Sequence, residues 1–181
     1  MNKLTGSTTH SIMDFKFRLA TQSDANSVWT ILQQAIVRRK NDGSNQWQDG
    51  YPNPDVVQRD IERGYGYVLT TNDEVVGYAA VILNDEPAYD AIVGKWLTNG
   101  DFYVVHRIAL SDQFIGKGLG KVILKFIEDL ARTNNVPSIK VDTNFDNAAM
   151  LKTFENLGYK YCGEVTFRDS PRKAFEKVIS L

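Results

Sequence analysis

The chain is poor in the features that would assign it to a special class. One cysteine, Cys162, stands among 181 residues, so no disulfide can form within the chain, and a cytoplasmic setting is expected. No apolar run approaches the ~20 residues that cross a bilayer, so no membrane association is expected. The first dozen residues are polar and lack the apolar core of a signal peptide. Residues 1–13 are expected to form a flexible tail, with Met13 as an alternative start. The formal net charge is only -1, so a general polyanion-binding surface, and with it a nucleic-acid partner, is not expected. There is no internal repeat, low-complexity run or linker, and no metal is called for. What remains is an ordinary globular composition, 43% hydrophobic and 24% charged, long enough for one core and short for two.

Periodicity then divides the chain into elements. Phe15, Phe17 and Leu19 alternate with Lys16 and Arg18 as in a half-buried strand. Thr21 or Ser23 caps a helix with Val28, Ile31, Leu32, Ala35 and Ile36 on one face. Residues 41–51 form a polar loop that nevertheless holds Trp47 and Tyr51. Pro54 opens a second helix that Gly64 stops. Strands follow over 67–70 and 75–83, joined by a tight turn at 71–74. The loop over 84–100 is expected to hold one short helix around 90–97. A strand over 102–110, a long helix over 118–134 and a strand over 138–143 come next. A helix over 147–157 has Asp146 as its N-cap and Gly158 as its C-cap. Strands over 161–167 and 174–179 close the sheet.

The most informative stretch is Leu110-Ser-Asp-Gln-Phe-Ile-Gly116-Lys-Gly118-Leu-Gly120-Lys121, between a strand and a long helix. Free amides at a helix start, with the helix dipole, favour an anion there. Glycines let the backbone approach a pyrophosphate with no Cβ in the way, and Lys117 and Lys121 add positive charge. The plain alternative is a turn that only joins strand to helix. Other phosphate loops fit poorly. A P-loop counted back from Gly120-Lys121 needs glycine at Ile115 and Ser or Thr at Val122. The dinucleotide pattern begun at Gly116 needs glycine at Lys121.

The strand His106-Arg-Ile-Ala-Leu110 followed by Gln113-Phe-Ile-Gly-Lys-Gly-Leu-Gly120 resembles the acetyl-CoA-binding motif of the GNAT superfamily of N-acetyltransferases. The run from Asp146-Asn147 through Phe154-Glu-Asn-Leu-Gly158-Tyr159 resembles the next helix of that family, at the right spacing. The motifs cover 102–159, and the order of elements fits over about 14–181. The resemblance implies a single α/β (α+β) domain. Its central mixed sheet would have six or seven strands, mostly antiparallel, with helices on both faces. It implies acetyl-CoA as cosubstrate, bound by Ile108, Ala109 and Leu110 and by Ile115, Gly116, Lys117, Gly118, Leu119, Gly120 and Lys121, with Asn147 and Phe154 nearby. It implies a small-molecule or peptide amine as acceptor, and it admits a homodimer. Two positions depart from the family pattern. Ile115 stands where Arg or Gln is usual. Phe154 stands where a Tyr often protonates the leaving thiolate, and Phe cannot do so.

The implied chemistry is attack of a neutral amine on a thioester held beside it. An alkyl amine of pKa ~10.4 must lose a proton, at a cost of roughly 4 kcal/mol near neutrality, so a base is useful. A thiol of pKa ~8.5 leaves tolerably as thiolate, so a missing acid need not stop turnover. The amides of 108–110, freed by a bulge or splay of the strand, would polarise the carbonyl. His106 is the natural base, although alternation puts it on one face with Phe102, Val104, Ile108 and Leu110, which equally suits a structural histidine. Glu86 and Asp101 are further candidates, and Tyr159 or Tyr161 could stand in as the acid. Trp47 and Tyr51 either line the acceptor pocket or, like Trp96, cap the edge of the core. The alternative to an enzyme is a catalytically weak acyl-CoA-binding or sensing module.

Overall fold

Phe17 turns inward from β1 (Phe15–Leu19) and stacks on Tyr67 and Phe126, with ring centroids 5.2 and 5.7 Å away. This contact ties the first strand of the sheet to its neighbour and to a covering helix. The structure, a computed structural model, describes residues 14–181; the tail expected over 1–13 lies outside the described residues. The order continues with α1 (Ala25–Asn41), α2 (Pro54–Glu62), β2 (Gly66–Thr71), β3 (Glu74–Leu83), β4 (Val93–Gly94) and β5 (Tyr103–Leu110). Then come α3 (Leu119–Thr133), β6 (Ser138–Thr143), α4 (Ala148–Asn156), β7 (Lys160–Phe167) and β8 (Ser170–Val178).

All eight strands form one sheet in the order β1-β2-β3-β5-β6-β8-β7-β4. Only the central pair β5 and β6 is parallel; every other pair is antiparallel. Alternation sends Leu69, Val81, Val105 and Ile139 to one face. There Leu119, Ile123, Leu124 and Ile127 of α3 and Phe154 of α4 cover them. Each such fully buried side chain contributes about 1.5–3 kcal/mol, which fixes α3 rigidly to the sheet. Val68, Tyr78 and Ala109 face the other way, under Val28, Ile31 and Leu32 of α1 and Val57 of α2.

Three expectations need correction. The sheet has eight strands rather than six or seven, because Val93 and Gly94 pair with Glu164 and Gly163. The short helix lies over Pro87–Ala91 as a 3-10 turn, not over 90–97. Its position is set by Glu86, whose carboxylate accepts the Ala88 N–H at 3.2 Å, with Pro87 in the first turn. The N-cap of α4 is Asn147, whose side chain accepts the Met150 N–H at 3.3 Å, while Asp146 pairs with Arg39 at 3.1 Å.

A fourth correction matters most for function. Alternation along β5 does not run unbroken. Tyr78 pairs with Ala109 and Ala80 with His106, so two residues of β5, Arg107 and Ile108, oppose one of β3. This is a β-bulge, and Arg107 occupies the left-handed region with φ 55°. After the bulge the faces exchange. Ile108 and Leu110 join the α3 side, whereas Phe102, Val104 and His106 stay on the opposite face.

Candidate active site

The bulge conformation disfavours an L-residue, and buried contacts hold it in place. Arg107 forms a two-pronged pair with Asp60 of α2, at 2.9 Å from Nε and 2.7 Å from Nη2. Its Nη1 donates to the Tyr51 hydroxyl, and the Tyr78 hydroxyl donates to Asp60 at 2.5 Å. Burial opposes the charge on Arg107, but the oxygens of Tyr51, Asp60 and Tyr78 outweigh it and raise its pKa. A buried pair of this kind fixes geometry more than it adds stability. Here it fixes the bulge.

Beyond the bulge the two central strands part. β5 and β6 are paired only as far as Val105 and Val141, yet each runs on, β5 to Leu110 along β3 and β6 to Thr143 along β8. The wedge between them opens a cleft of about 510 Å3. Residues 108–110 form one wall, so backbone groups on that edge of β5 face the cleft rather than a neighbouring strand. Arg38 of α1 donates to the Leu110 carbonyl at 2.9 Å and closes the end of this wall.

One end of the cleft is the glycine loop. Gly116 and Gly118 have φ of 76° and 74°, which an L side chain rarely adopts, and Gly118 is the N-cap of α3. The first helical closure comes at Val122, whose N–H reaches the Gly118 carbonyl at 3.4 Å, and the amides ahead of it have no partner within the helix. A Cβ on Gly120 would meet nothing within 4 Å, so the helix start opens directly into the cleft. Ile115, Gly116, Gly118, Leu119, Gly120 and Lys121 line this end, and Lys117 sits over the Phe114 ring at 4.8 Å. Arg38 and Arg39 also line the cleft, paired with Asp112 and Asp146 respectively. Unpaired amides, a helix dipole and nearby cations form a cradle for a diphosphate, and the residues present fit that group.

Asn147, Phe154 and Met150 line the middle of the cleft. Phe154 is 1% exposed, and its ring lies 5.6 Å from Tyr159 and 5.3 Å from Phe175. Tyr159, expected as an acid, is not placed to serve as one. Its side chain lies in the core rather than on the cleft wall, and its hydroxyl is buried without a hydrogen-bond partner among the described residues. Burial, with Glu128 adding, raises its pKa, so the phenol is a poor ionising group there.

The other end of the cleft is built from side chains. His106 Nε2 lies 2.6 Å from Glu86 Oε2. Burial works against charge on Glu86, but the His106 ring, the Ala88 amide and Arg107 outweigh it and hold the carboxyl below its ordinary range. An ionised carboxylate only accepts, so Nε2 carries a proton toward Glu86, and Nδ1 is the nitrogen left for other partners. Nδ1 points toward Asp142 Oδ1, 3.8 Å away and beyond a direct hydrogen bond. Asp142 is itself held by the Tyr89 hydroxyl at 2.7 Å and by Arg172 Nη1 at 3.3 Å.

Trp47 and Tyr51, expected to line an acceptor pocket, do line this end of the cleft. Trp96 does not; it packs on Tyr89 and donates to the Tyr89 carbonyl at 2.9 Å. Asp101 accepts from Asn84 at 2.8 Å, and Tyr161 lies against Phe175; neither lines the cleft. Above the site the tip of the β7–β8 hairpin clasps the α1–α2 loop. Arg168 Nε donates to Asp49 at 2.6 Å, and its guanidinium lies 4.3 Å over the Tyr51 ring. Sequence reasoning missed Asp142, Arg172 and Arg107. Asp142 and Arg172 belong to no local motif, Arg107 lies in the motif strand without a role legible there, and each matters only through partners distant in the chain.

The comparisons with known proteins agree with this geometry. The model of the Acetyltransferase (GNAT) family matches residues 30–159. YesJ, an uncharacterized N-acetyltransferase of Bacillus subtilis, is 28% identical over 149 residues, covering 80% of this chain and 81% of that protein. The crystal structure of a GNAT-family acetyltransferase from Streptococcus agalactiae is 36% identical with a TM-score of 0.84, covering 92% of this chain and 96% of that one. The structure of yncA from Salmonella typhimurium, solved with its cofactor acetyl-CoA, shares the fold at a TM-score of 0.66 and 19% identity, covering 92% and 94% of the two chains. Among the described residues no helix is long and apolar enough to cross a membrane. With the family matched over the stretch that forms the cleft, the chain belongs to the GNAT family and is an acetyl-CoA-dependent acyltransferase.

Proposed function

We propose that this protein transfers an acetyl group from acetyl-CoA directly to a small primary amine, with His106 Nδ1 as the general base. The observation that carries this reading is the continuity of one cleft from the amides at the start of α3 to the Glu86–His106 pair. The diphosphate of the cosubstrate would rest on the amides of 115–121, and the thioester would lie along 108–110. Backbone N–H groups on that edge would stabilise the oxyanion as the amine nitrogen attacks the carbonyl carbon.

The bond between carbonyl carbon and sulfur then breaks, and the electron pair leaves with the thiolate. The amine proton passes to His106 Nδ1, and Glu86 stabilises the imidazolium that results. That proton returns to solvent or to the thiolate. With Phe154 in the middle of the cleft and the Tyr159 hydroxyl in the core, no phenol among these two serves the sulfur; a thiol of pKa ~8.5 departs without one. The clasp of Arg168 on Asp49 and Tyr51 across the acceptor end favours a small amine over a folded polypeptide. A reducing cytoplasm suits the buried free thiol of Cys162.

The test is turnover with a panel of primary amines, followed by thiol release and by mass spectrometry of the acetylated product. Acetylated amine formed at a rate tied to thiol release supports the reading. Tight CoA binding with no acetylated product from any amine would leave only an acyl-CoA-binding module.

A further inference from the structure

A small polar recess opens off the acceptor end of the cleft, and its chemistry restricts the acceptor. The recess holds about 40 Å3 and is bounded by Asn144, Ser170, Arg168 and Asp49, the last two paired with each other, with Gln46, Trp47 and Arg172 shared with the main cleft. That volume suits one small polar group. Arg172 is 8% exposed, and its Nε is buried without a hydrogen-bond partner among the described residues. Asn144 Oδ1, on the same wall, is also buried and unpartnered among the described residues. A buried donor without a partner costs about 1–3 kcal/mol, so the Arg172 guanidinium bordering the recess favours an anionic occupant, whereas the Asn144 oxygen can only accept.

Arg172 is also held in place. Its Nη1 donates to Asp142 at 3.3 Å, and its guanidinium lies 4.9 Å over the Phe167 ring. The His106 ring packs on the same Phe167 at 5.9 Å, and its Nδ1 faces the other oxygen of Asp142. The base and the guanidinium therefore bracket a single carboxylate. The other cations nearby are committed, Arg107 to Asp60 and Arg168 to Asp49. Arg39 Nε is also buried without a partner, but Arg39 pairs with Asp146; at the acceptor end Arg172 is the cation that keeps an unpartnered N–H among the described residues.

We propose that the acceptor is an amino acid, with its amine presented to His106 and its carboxylate bound by Arg172. This rests on the acetyltransferase reading above and names its substrate class. The guanidinium supplies a charge-assisted donor to the carboxylate. Asp142 stands between the two sites, where it faces the incoming ammonium before deprotonation.

The experiment compares free amino acids with their own carboxamides as acceptors, at saturating acetyl-CoA. The amine of a carboxamide is less basic than that of the free amino acid, so a larger fraction of it is neutral. A preference for the free acid therefore cannot arise from the supply of free amine. At least one amino acid is expected to exceed its carboxamide tenfold or more in kcat/KM, mostly through KM. In Arg172→Gln that ratio should fall toward one, with CoA affinity unchanged. Should Arg172→Gln fail to fold, Arg172→Lys keeps a positive charge beside Asp142 but lacks the Nε donor, and it should lose at least threefold of the discrimination. Equal or better use of carboxamides across the panel by the wild-type protein would overturn the carboxylate site while leaving acetyl transfer intact. Absence of any acetylated amine despite CoA binding would overturn the acetyltransferase reading itself, and this assignment with it.

Discussion

At the α3 end of the cleft the ligand-facing groups are backbone amides from one continuous loop, whereas at the β8 end they are side chains from four separate segments. The loop needs only two glycines at positive φ and a helix that starts in the right place. The side-chain end needs a bulge at Arg107, the 3-10 turn after Glu86, the partner strand carrying Asp142, and Arg172 across from it. The first is a local device and the second a product of the whole sheet. The two should therefore fail separately, and variants can be chosen to show it.

The largest effect is expected at the side-chain end. His106→Ala should lower kcat/KM by about 10²–10⁴-fold, the range for loss of a positioned base. The base accepts a proton only when neutral, so the wild-type rate should fall on the acid side, and the variant should lose that limb. A His106→Ala enzyme with unchanged rate and an unchanged acid limb would make this histidine structural.

The next effect belongs to the backbone end. Gly120→Asp places a carboxylate where a Cβ meets no protein atom, so the fold should survive. A negative side chain in the first turn of a helix is favoured by the dipole, so the free protein should be as stable or slightly more stable. CoA affinity should fall by about 100-fold from repulsion of the diphosphate. Loss of stability together with unchanged affinity would contradict the placement.

Phe154 lies between the two ends, and Phe154→Tyr sharpens the comparison there. The hydroxyl would enter a wall that is now apolar, beside the expected position of the sulfur. A change in kcat within about threefold is expected, because thiolate departure is not the difficult step. A gain approaching 10² would show that protonation of the leaving group limits turnover.

The smallest effect on activity is expected far from both ends. The hydrogen bond from Arg18, opposed by burial and helped by the Thr21 amide and hydroxyl, holds the Asp24 carboxyl down at about 2. A depressed carboxyl contributes stability above its ordinary pKa of 3.8 and loses it as pH falls through about 2. Arg18 is 46% exposed, so solvent screening reduces the contribution to about 1 kcal/mol. Asp24→Asn should cost that much near neutrality and progressively less as pH falls through about 2, by thermal or urea unfolding, with both CoA affinity and turnover unchanged. A loss of stability that stayed the same from neutrality down to pH 2 would assign the effect to packing.

The same contrast explains what could be read from the chain. Gly116, Gly118 and Gly120 announce a ligand loop because their spacing at a helix entry is a local pattern with a local physical meaning. The periodic faces of α1 and α3 are legible for the same reason. The face of His106 was not. Alternation assumes an unbroken strand, and the bulge at Arg107 is stabilised by Asp60, 47 residues earlier in the sequence. Glu86 stands in the sequence beside Asp101 as a further base candidate, and only the fold, which sets it 2.6 Å from an imidazole, separates the two. The eighth strand is only two residues long, so it has no periodicity to detect. Arg172 lies between the strands that periodicity marks at 161–167 and 174–179, so nothing local singles it out, and only the recess beside it gives the guanidinium a task.

The most direct measurement is a calorimetric titration of CoA into three proteins, the wild type, His106→Ala and Gly120→Asp. If one end of the cleft holds the cosubstrate through backbone amides and the other performs the chemistry through side chains, His106→Ala should bind CoA within about twofold of wild type. Gly120→Asp should bind it about 100-fold more weakly. Equal losses of affinity in the two variants, or an undiminished affinity in Gly120→Asp, would contradict the division of labour on which this account stands.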